Sequence, residues 1–337
     1  MNNQSLLMLA LSRVPFLRPR ERLLLQELLA GPEDLVKVGK KDLEMTLNRR
    51  IRSEYWRPAD LVRQAEACQL YLTKRDILCT FYTDQGYPPL LKEIYDPPLV
   101  LYHRGPLPSQ NAASVAVVGT RRPSGEALRA AFEIGLELAA EGAVVISGLA
   151  RGIDRAAHRG CVEGAGRALA VMGNGIDAVH PYGSRRLAEM ILDAGGTLVS
   201  EYPPGTPPLK HHFPARNRII SGLSQAVIVV EAPEKSGALI TSDFALEQGR
   251  ELFVHETGCR EGWGDGTRSL AEQGAVKITR VAQVLHGGAY GTDGREASSG
   301  LARLLVEDRP APSLAELLEL ELQNKVFLLD GEVYWRE

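Results

Sequence analysis

Cysteine is scarce in this chain: four residues in 337, at Cys68, Cys79, Cys161 and Cys259. They lie far apart and form no C-x-x-C pair, so neither a zinc cluster nor a disulfide framework is expected. Long apolar runs are missing too. No stretch approaches the about 20 residues that a membrane span needs. The N-terminus lacks a basic segment followed by a long apolar one, so no secretory signal is expected. Net charge is also small, at -3, so no global basic field draws the chain to nucleic acid, and a polyanion site must be a local patch. These absences describe a soluble cytoplasmic protein. One local absence points the other way. From Tyr202 to Val230 there is no Asp or Glu, yet the span holds Lys210, His211, His212, Arg216 and Arg218.

With 44% hydrophobic and 24% charged residues, the chain can bury a sizeable core, divided into about two or three domains. Residues 1–107 are rich in Leu and charge. Leu6–Leu11 and Leu23–Leu29 read as short amphipathic helices. The proline-punctuated stretch from Tyr87 to Pro108 reads as an extended connection. Residues 108–286 alternate short apolar runs with helical stripes such as Leu128, Ala131, Phe132, Gly135 and Leu138. The runs are Val115–Val118, Val144–Ser147, Leu169–Met172, Thr197–Ser200, Ala226–Val230, Glu251–His255 and Val276–Thr279. This pattern predicts an α/β fold, a parallel sheet covered on both faces. Residues 287–300 are Gly- and Ser-rich and read as a flexible linker. Residues 301–337 carry two helices, near Leu301–Val306 and Leu314–Leu322. A hairpin of Val326–Leu329 and Val333–Trp335 about Asp330-Gly331 follows, and the whole reads as a shortened winged helix.

The turns at the strand ends carry the chemistry. Val115–Val118 runs into Gly119-Thr120-Arg121-Arg122-Pro123-Ser124-Gly125 and then a helix. Free backbone N–H groups, hydroxyls and the helix dipole suit an anion there, and Arg121 adds a bidentate donor. The plainer alternative is a tight turn with solvated arginines. A second turn, Ser147-Gly148-Leu149-Ala150-Arg151-Gly152, precedes Asp154 and His158. These two share a helix face and read as a structural pair rather than a catalytic dyad. Gly173-Asn174-Gly175-Ile176-Asp177-Ala178 fits G-x-G-x-x-A, but it lies on a later strand and Pro181 follows almost at once. A nicotinamide site is therefore not expected.

The acid-free span needs an anion from elsewhere. Pro214 suits a first helical turn, which sets orphan N–H groups, cations and the Phe213 ring together. Phosphates fit the first two and a base can stack on Phe213. Arg216 and Arg218 stand roughly 200° apart around a helix, so they cannot face one phosphate. One is expected at a strand-end pocket and the other at a nucleic-acid backbone. The alternative is that both arginines pair with distant carboxylates and Phe213 is core. A last turn, with Lys235, Ser236 and Gly237, opens a helix containing Thr241. No nucleophile–base pair with clear local logic appears.

Gly119-Thr120-Arg121-x-Pro123-Ser124, Ser147-Gly148-x-Ala150-x-Gly152-Ile153-Asp154-x-x-Ala157-His158, Phe213-Pro214-x-Arg216-Asn217-Arg218-Ile219-Ile220-x-Gly222-Leu223-Ser224 and Ser236-Gly237-x-Leu239-Ile240-Thr241 together resemble the DNA-processing protein DprA (Smf) family. The resemblance implies a Rossmann-like core joined through Tyr87–Leu91 and Asp96–Tyr102. It implies a small helical N-terminal domain of degenerate helix-hairpin-helix or SAM-like type. It further implies a homodimer that binds single-stranded DNA and helps load the RecA recombinase in natural transformation, with no enzymatic turnover and no cofactor. On the family's pattern Arg121, Lys210 and Phe213 contact DNA, Arg216 and Arg218 are the motif arginines, and Gly173 and Gly175 form a turn near DNA. Ser147, Gly148, Arg151, Lys235, Ser236, Gly237 and Thr241 complete the candidate DNA-binding set.

Three departures stand out. Phe16 and Arg18 replace glycines of a Val-Pro-Gly-x-Gly-Pro pattern, so the N-terminal domain is not expected to hold phosphate by itself. Val254-His255-Glu256-Thr257-Gly258 replaces a Val-Pro-Gly-like turn, and Gly266-Thr267-Arg268 stands where Gly-x-Asn is expected, which predicts a remodelled edge. The C-terminal domain lacks room for a separate recognition helix. The competing reading is a nucleotide hydrolase like the phosphoribohydrolases, whose turn would correspond to Lys235–Thr241, with Glu247 remote in sequence. A third reading is a recombinase scaffold with incidental DNA contact.

Overall fold

The computed structural model describes residues 2–51, 56–260 and 262–285, and the strands 326–329 and 332–335. The chain opens with helices α1 (Asn3–Ser12), α2 (Pro19–Leu28), α3 (Pro32–Lys37), α4 (Lys40–Thr46) and α5 (Pro58–Lys74). Three of them carry Pro at a first helical position, where its missing N–H costs nothing. Their apolar stripes meet in a core containing Leu7, Leu11, Leu25, Leu35, Leu43 and Leu72. Phe16 packs edge-on to Trp56 at 6.2 Å, and the Arg18 backbone N–H donates to Glu21 Oε2 at 2.8 Å. A carboxylate of the protein thus already occupies the start of α2, in keeping with the departure from the glycine pattern.

Next come β1 (Leu78–Phe81), α6 (Pro89–Lys92) and β2 (Val100–Arg104). The stretch read as an extended connection therefore contains a short helix and a strand. Its prolines fall at the start of α6 and on either side of β2, where none interrupts a sheet ladder. The sheet thus begins before the composition shift near 107.

The core follows as β3 (Ser114–Val118), α7 (Gly125–Ala140), β4 (Val144–Ser147), α8 (Ile153–Glu163), β5 (Ala168–Val171), α9 (Arg185–Asp193), β6 (Thr197–Ser200), α10 (His212–Gly222), β7 (Ala226–Val229), α11 (Gly237–Glu247), β8 (Glu251–His255), α12 (Asp265–Glu272), β9 (Val276–Ile278) and α13 (Ala282–Leu285). Nine strands form one sheet in the order β1-β2-β6-β5-β4-β3-β7-β8-β9. From β6 to β9 all pairs are parallel; β2 pairs antiparallel with β6, and β1 with β2. All seven expected strands of the core occur, within a residue of their expected ends. This is the Rossmann-like α/β class, with residues of one strand alternating between two buried faces. Val115 and Val117 join one apolar cluster, with residues of α1, α5, α7 and α8. Ala116 and Val118 join the other, with residues of α6, α10 and α11.

Order reverses between β3 and β7. Strands β4 to β6 lie on one side of β3 and β7 to β9 on the other. Such a topological switch point opens a crevice at the carboxyl ends of the strands. Near the C-terminus β10 (Val326–Leu329) and β11 (Glu332–Trp335) pair antiparallel, as the hairpin pattern predicts. The expected linker, the helices near 301–306 and 314–322, and the Asp330-Gly331 turn lie outside the described residues.

Candidate nucleic-acid interface

A groove of about 870 Å³ lies at the switch point. Its walls come from the turns after β3 and β7, the start of α10 and the loop before α12. The two central turns are tied together. Thr120 N–H donates to the Glu231 carbonyl at 2.7 Å, and Val230 N–H to the Val118 carbonyl at 3.0 Å. Buried Glu231 accepts from the Ser124 N–H at 2.9 Å and from its hydroxyl at 2.6 Å. Ser124 in turn caps α7. The carboxylate so consumed fixes the floor between two turns and leaves their cations facing out.

Arg121, Arg122, Lys210 and Lys235 line the groove and are exposed. Among the described residues none of these four pairs with a carboxylate. Phe213 is half-buried beside them, with the Arg121 guanidinium 5.9 Å from its ring centroid and the His180 ring 5.5 Å away. A Cβ on Gly173 would meet the Phe213 ring at 2.8 Å. The glycine is therefore needed to seat the aromatic. Gly175 is likewise a packing position, because a Cβ there would lie 2.7 Å from the Pro203 carbonyl. Both glycines are buried and neither lines the groove. No helix opens at this turn, in accord with the dismissal of a dinucleotide fingerprint; the chain instead passes the cis His180–Pro181 bond and a short 3-10 turn, Tyr182–Ser184.

The two motif arginines part company. Arg216 lines the groove floor but is 4% exposed. It donates to the Gly148 carbonyl at 3.0 Å and to the Val171 carbonyl. Burial pushes its guanidinium down to about 10, against the pull of Asp154. Asp154 is buried and accepts from the Gly148 N–H at 3.0 Å and the Ala150 N–H at 3.3 Å. Burial raises its carboxyl, with Arg216 pulling the other way. A Cβ on Gly148 would meet the Arg216 guanidinium and lie 2.7 Å from Asp154 Oδ2, so this glycine leaves room for both side chains. His158, one turn further on α8, is buried and pushed down to about 3 by desolvation. Desolvation thus favours the neutral imidazole, and the Asp154 carboxylate is engaged by backbone N–H groups.

Arg218 corrects the sequence reading. It does not face the groove. Its guanidinium grips Glu201 in a bidentate pair at 2.8 and 2.6 Å, and its Nε lies 3.1 Å from Asp96 Oδ2. Burial alone would lower Arg218, but Glu201 and then Asp96 raise it. Burial also opposes ionisation of Glu201, and Arg218 with help from Arg22 brings the net shift downward. The acid-free span thus finds part of its counter-charge in the residue just before it and in the loop after α6. The alternative of distant carboxylates holds for Arg218, while Arg216 takes the pocket role.

Other candidates divide the same way. Ser147 is buried, its hydroxyl donating to the Val117 carbonyl at 2.6 Å; it braces two strands and lines no groove. Arg151 is exposed on the turn before α8 and outside the lining. Lys235, Ser236, Gly237 and Thr241 line the groove. Ser236 caps α11, accepting from the Ala238 N–H at 3.2 Å, and Thr241 is buried beneath. Sequence reasoning left out Arg122, Asn217 and Trp263 as site residues. Asn217 donates to the Gly237 carbonyl at 3.1 Å, joining α10 to the β7 turn. Trp263 stands between two glycines in the loop before α12, and that placement was its only signal.

Residues 78–289 match the family described as DNA recombination-mediator protein A. The chain belongs to this family. It is 42% identical over 205 residues to Protein Smf of Escherichia coli K12, covering 61% of this chain and 55% of that one. It is also 42% identical over 204 residues to DNA processing protein DprA of Streptococcus pneumoniae R6, covering 60% and 71%. The chain thus spans about half the length of the Escherichia coli relative. Among solved structures, DprA of Streptococcus pneumoniae superposes with a TM-score of 0.68 at 34% identity, over 85% of this chain and 97% of that one. DNA processing protein A of Helicobacter pylori, studied for its single-stranded DNA binding mode, gives 0.55 at 28%, over 63% and 94%. The family segment contains every strand and turn that builds the groove and excludes helices α1 to α5.

Proposed function

We propose that this chain binds single-stranded DNA in the switch-point groove and delivers it to a RecA-type recombinase, acting as a homodimer in the cytoplasm without turnover. The observation that carries the binding claim is the set Arg121, Arg122, Lys210 and Lys235, exposed and without carboxylate partners among the described residues, around the half-buried Phe213. Phosphates meet the cations and a base meets the ring, and neither contact depends on sequence. Membership of the recombination-mediator family supports the delivery step, and the resemblance of the motifs supports dimerisation and a role in natural transformation. Absence of turnover is favoured by the groove's carboxylates. Asp154 is held by backbone N–H groups, and Glu231 by Ser124. Glu247 is exposed at the far end of α11 and outside the groove. Among the described residues no group of three or more His, Cys, Asp or Glu could hold a metal, and no helix is long and apolar enough to cross a membrane.

Gel shifts of single-stranded against duplex DNA at two salt concentrations test this reading. Preference for the single strand with a steep salt dependence is expected. Equal binding of both, or sustained release of free base from nucleoside monophosphates, would overturn it in favour of a general polyanion site or a hydrolase.

A further inference from the structure

Trp263 is a large apolar side chain left 58% exposed on the groove wall. Its loop is anchored rather than loose. Arg260 pairs with Glu126 on α7. The Gly264 N–H donates to the Arg260 carbonyl at 3.1 Å, and Thr267 Oγ1 accepts from the Ala232 N–H at 2.7 Å. A Cβ on Gly266 would lie 2.8 Å from the Ala232 and Pro233 carbonyls, so the loop lies against the β7 turn that carries Lys235. Gly262 has φ +85°, a conformation that lets the chain turn sharply just before the tryptophan. An anchored loop that holds an indole in water, on a groove lined by cations, loses the gain of burying it unless a ligand covers it.

We propose that Trp263 is a second base-stacking platform, which extends the single-strand path from Phe213 across the switch point to the turn after β7. This rests on the reading of the groove as a single-stranded DNA site. Phe213 sits over the end of β5 at Gly173, and the Trp263 loop lies against the β7 turn, three strand positions away in the order β5-β4-β3-β7. At about 4.8 Å per strand that is roughly 14 Å, a span that a single strand can bridge between two aromatic faces. Arg121 and Arg122 belong to the β3 turn between them and Lys235 to the β7 turn, where the phosphates would run. A protein segment could also cover an indole. The cations on the same groove, none of which pairs with a carboxylate among the described residues, favour a polyanion whose bases offer flat faces.

Titration of the full chain with an oligothymidylate, followed by tryptophan fluorescence and by gel shift, tests the assignment. Binding is expected to quench the wild type, and Trp263→Phe is expected to lose most of that quench while keeping most of the affinity. Trp263→Ala is expected to weaken binding about fivefold or more, and to leave binding of an abasic oligomer of equal length unchanged. Trp263→Ala with wild-type affinity for oligothymidylate would overturn the platform while leaving the groove reading intact. Equal losses on thymidylate and abasic oligomers would also overturn it, since the effect would then not be stacking. A wild type that binds neither oligomer would overturn both readings together.

Discussion

One helix, α10, serves two regions of opposite character. Its first turn opens on the groove, where Lys210 and Phe213 stand with Arg121, Arg122 and Lys235 and no carboxylate among the described residues answers the cations. Two residues past Arg216, Arg218 points into the junction with β2, β6 and the N-terminal helices. There Glu201 and Asp96 hold it, and Arg22 lies close by, half-buried. Cations a few positions apart stand exposed in one region and locked in an ion pair in the other. What separates them is a carboxylate within reach. Cation density in the sequence measures the sum of both roles and cannot apportion it.

The largest test of this contrast is Arg218→Ala. Removing one partner of a buried bidentate pair strands Glu201, and a loss of about 3–5 kcal/mol of folding stability is expected in denaturant melts. Arg121→Ala should leave stability within about 0.5 kcal/mol. Similar losses in both variants would erase the distinction between the regions.

Acid sharpens the same contrast. His158 is ordinarily near 6.5 and is pushed down to about 3 by burial. Because its folded value is depressed, the unfolded chain takes up a proton first. The stability it contributes is present above about 6.5 and is lost progressively as pH falls towards about 3. His103, His212 and His255 are lowered by burial as well and act in the same direction. Glu201, with a folded value below its ordinary 4.5, adds a further loss once pH falls below that value. The His158 contribution is therefore expected to fall by about 1–3 kcal/mol between pH 7 and pH 5, against an opposite contribution from the raised carboxyls of Asp154, Asp96 and Glu133. His158→Gln should remove that share of the slope, once its own cost at pH 7 is subtracted. An unchanged slope would show that the imidazole is not held neutral.

Within the groove the effects are on affinity. Phe213→Ala should cost about 1–3 kcal/mol in binding a single strand, the worth of one stacked base, and Phe213→Tyr should cost much less. If Phe213→Ala is silent, the ring is packing for Gly173 and nothing more.

Most of the fold was legible because parallel strands buried on both faces read as continuous apolar runs, and Val115–Val118 and Thr197–Ser200 are such runs. The strand Val100–Arg104 was not, because prolines on either side of it made the whole stretch look extended. The site was legible where a cation stands on a turn that must be exposed, as with Arg121 and Lys235. It was not legible for Arg218, whose partners Glu201 and Asp96 are 17 and 122 positions away. Distance in sequence hides a salt bridge. Gly148 and Gly173 entered the candidate DNA-binding set through their motifs; in the fold they clear space for the Arg216 and Asp154 side chains and for Phe213. Trp263 was overlooked because a single aromatic in a loop has no period, and only the fold puts its loop beside the β7 turn.

The groove's role as the polyanion site is tested most directly by the salt dependence of single-strand affinity, compared between the wild type and the Arg121→Ala/Lys210→Ala double variant. Removing one cation from a phosphate should reduce the slope of log affinity against log salt by about 0.7. The double variant is therefore expected to bind more weakly and to show a slope shallower by about 1.4. A slope and affinity equal to the wild type would contradict the assignment of the groove.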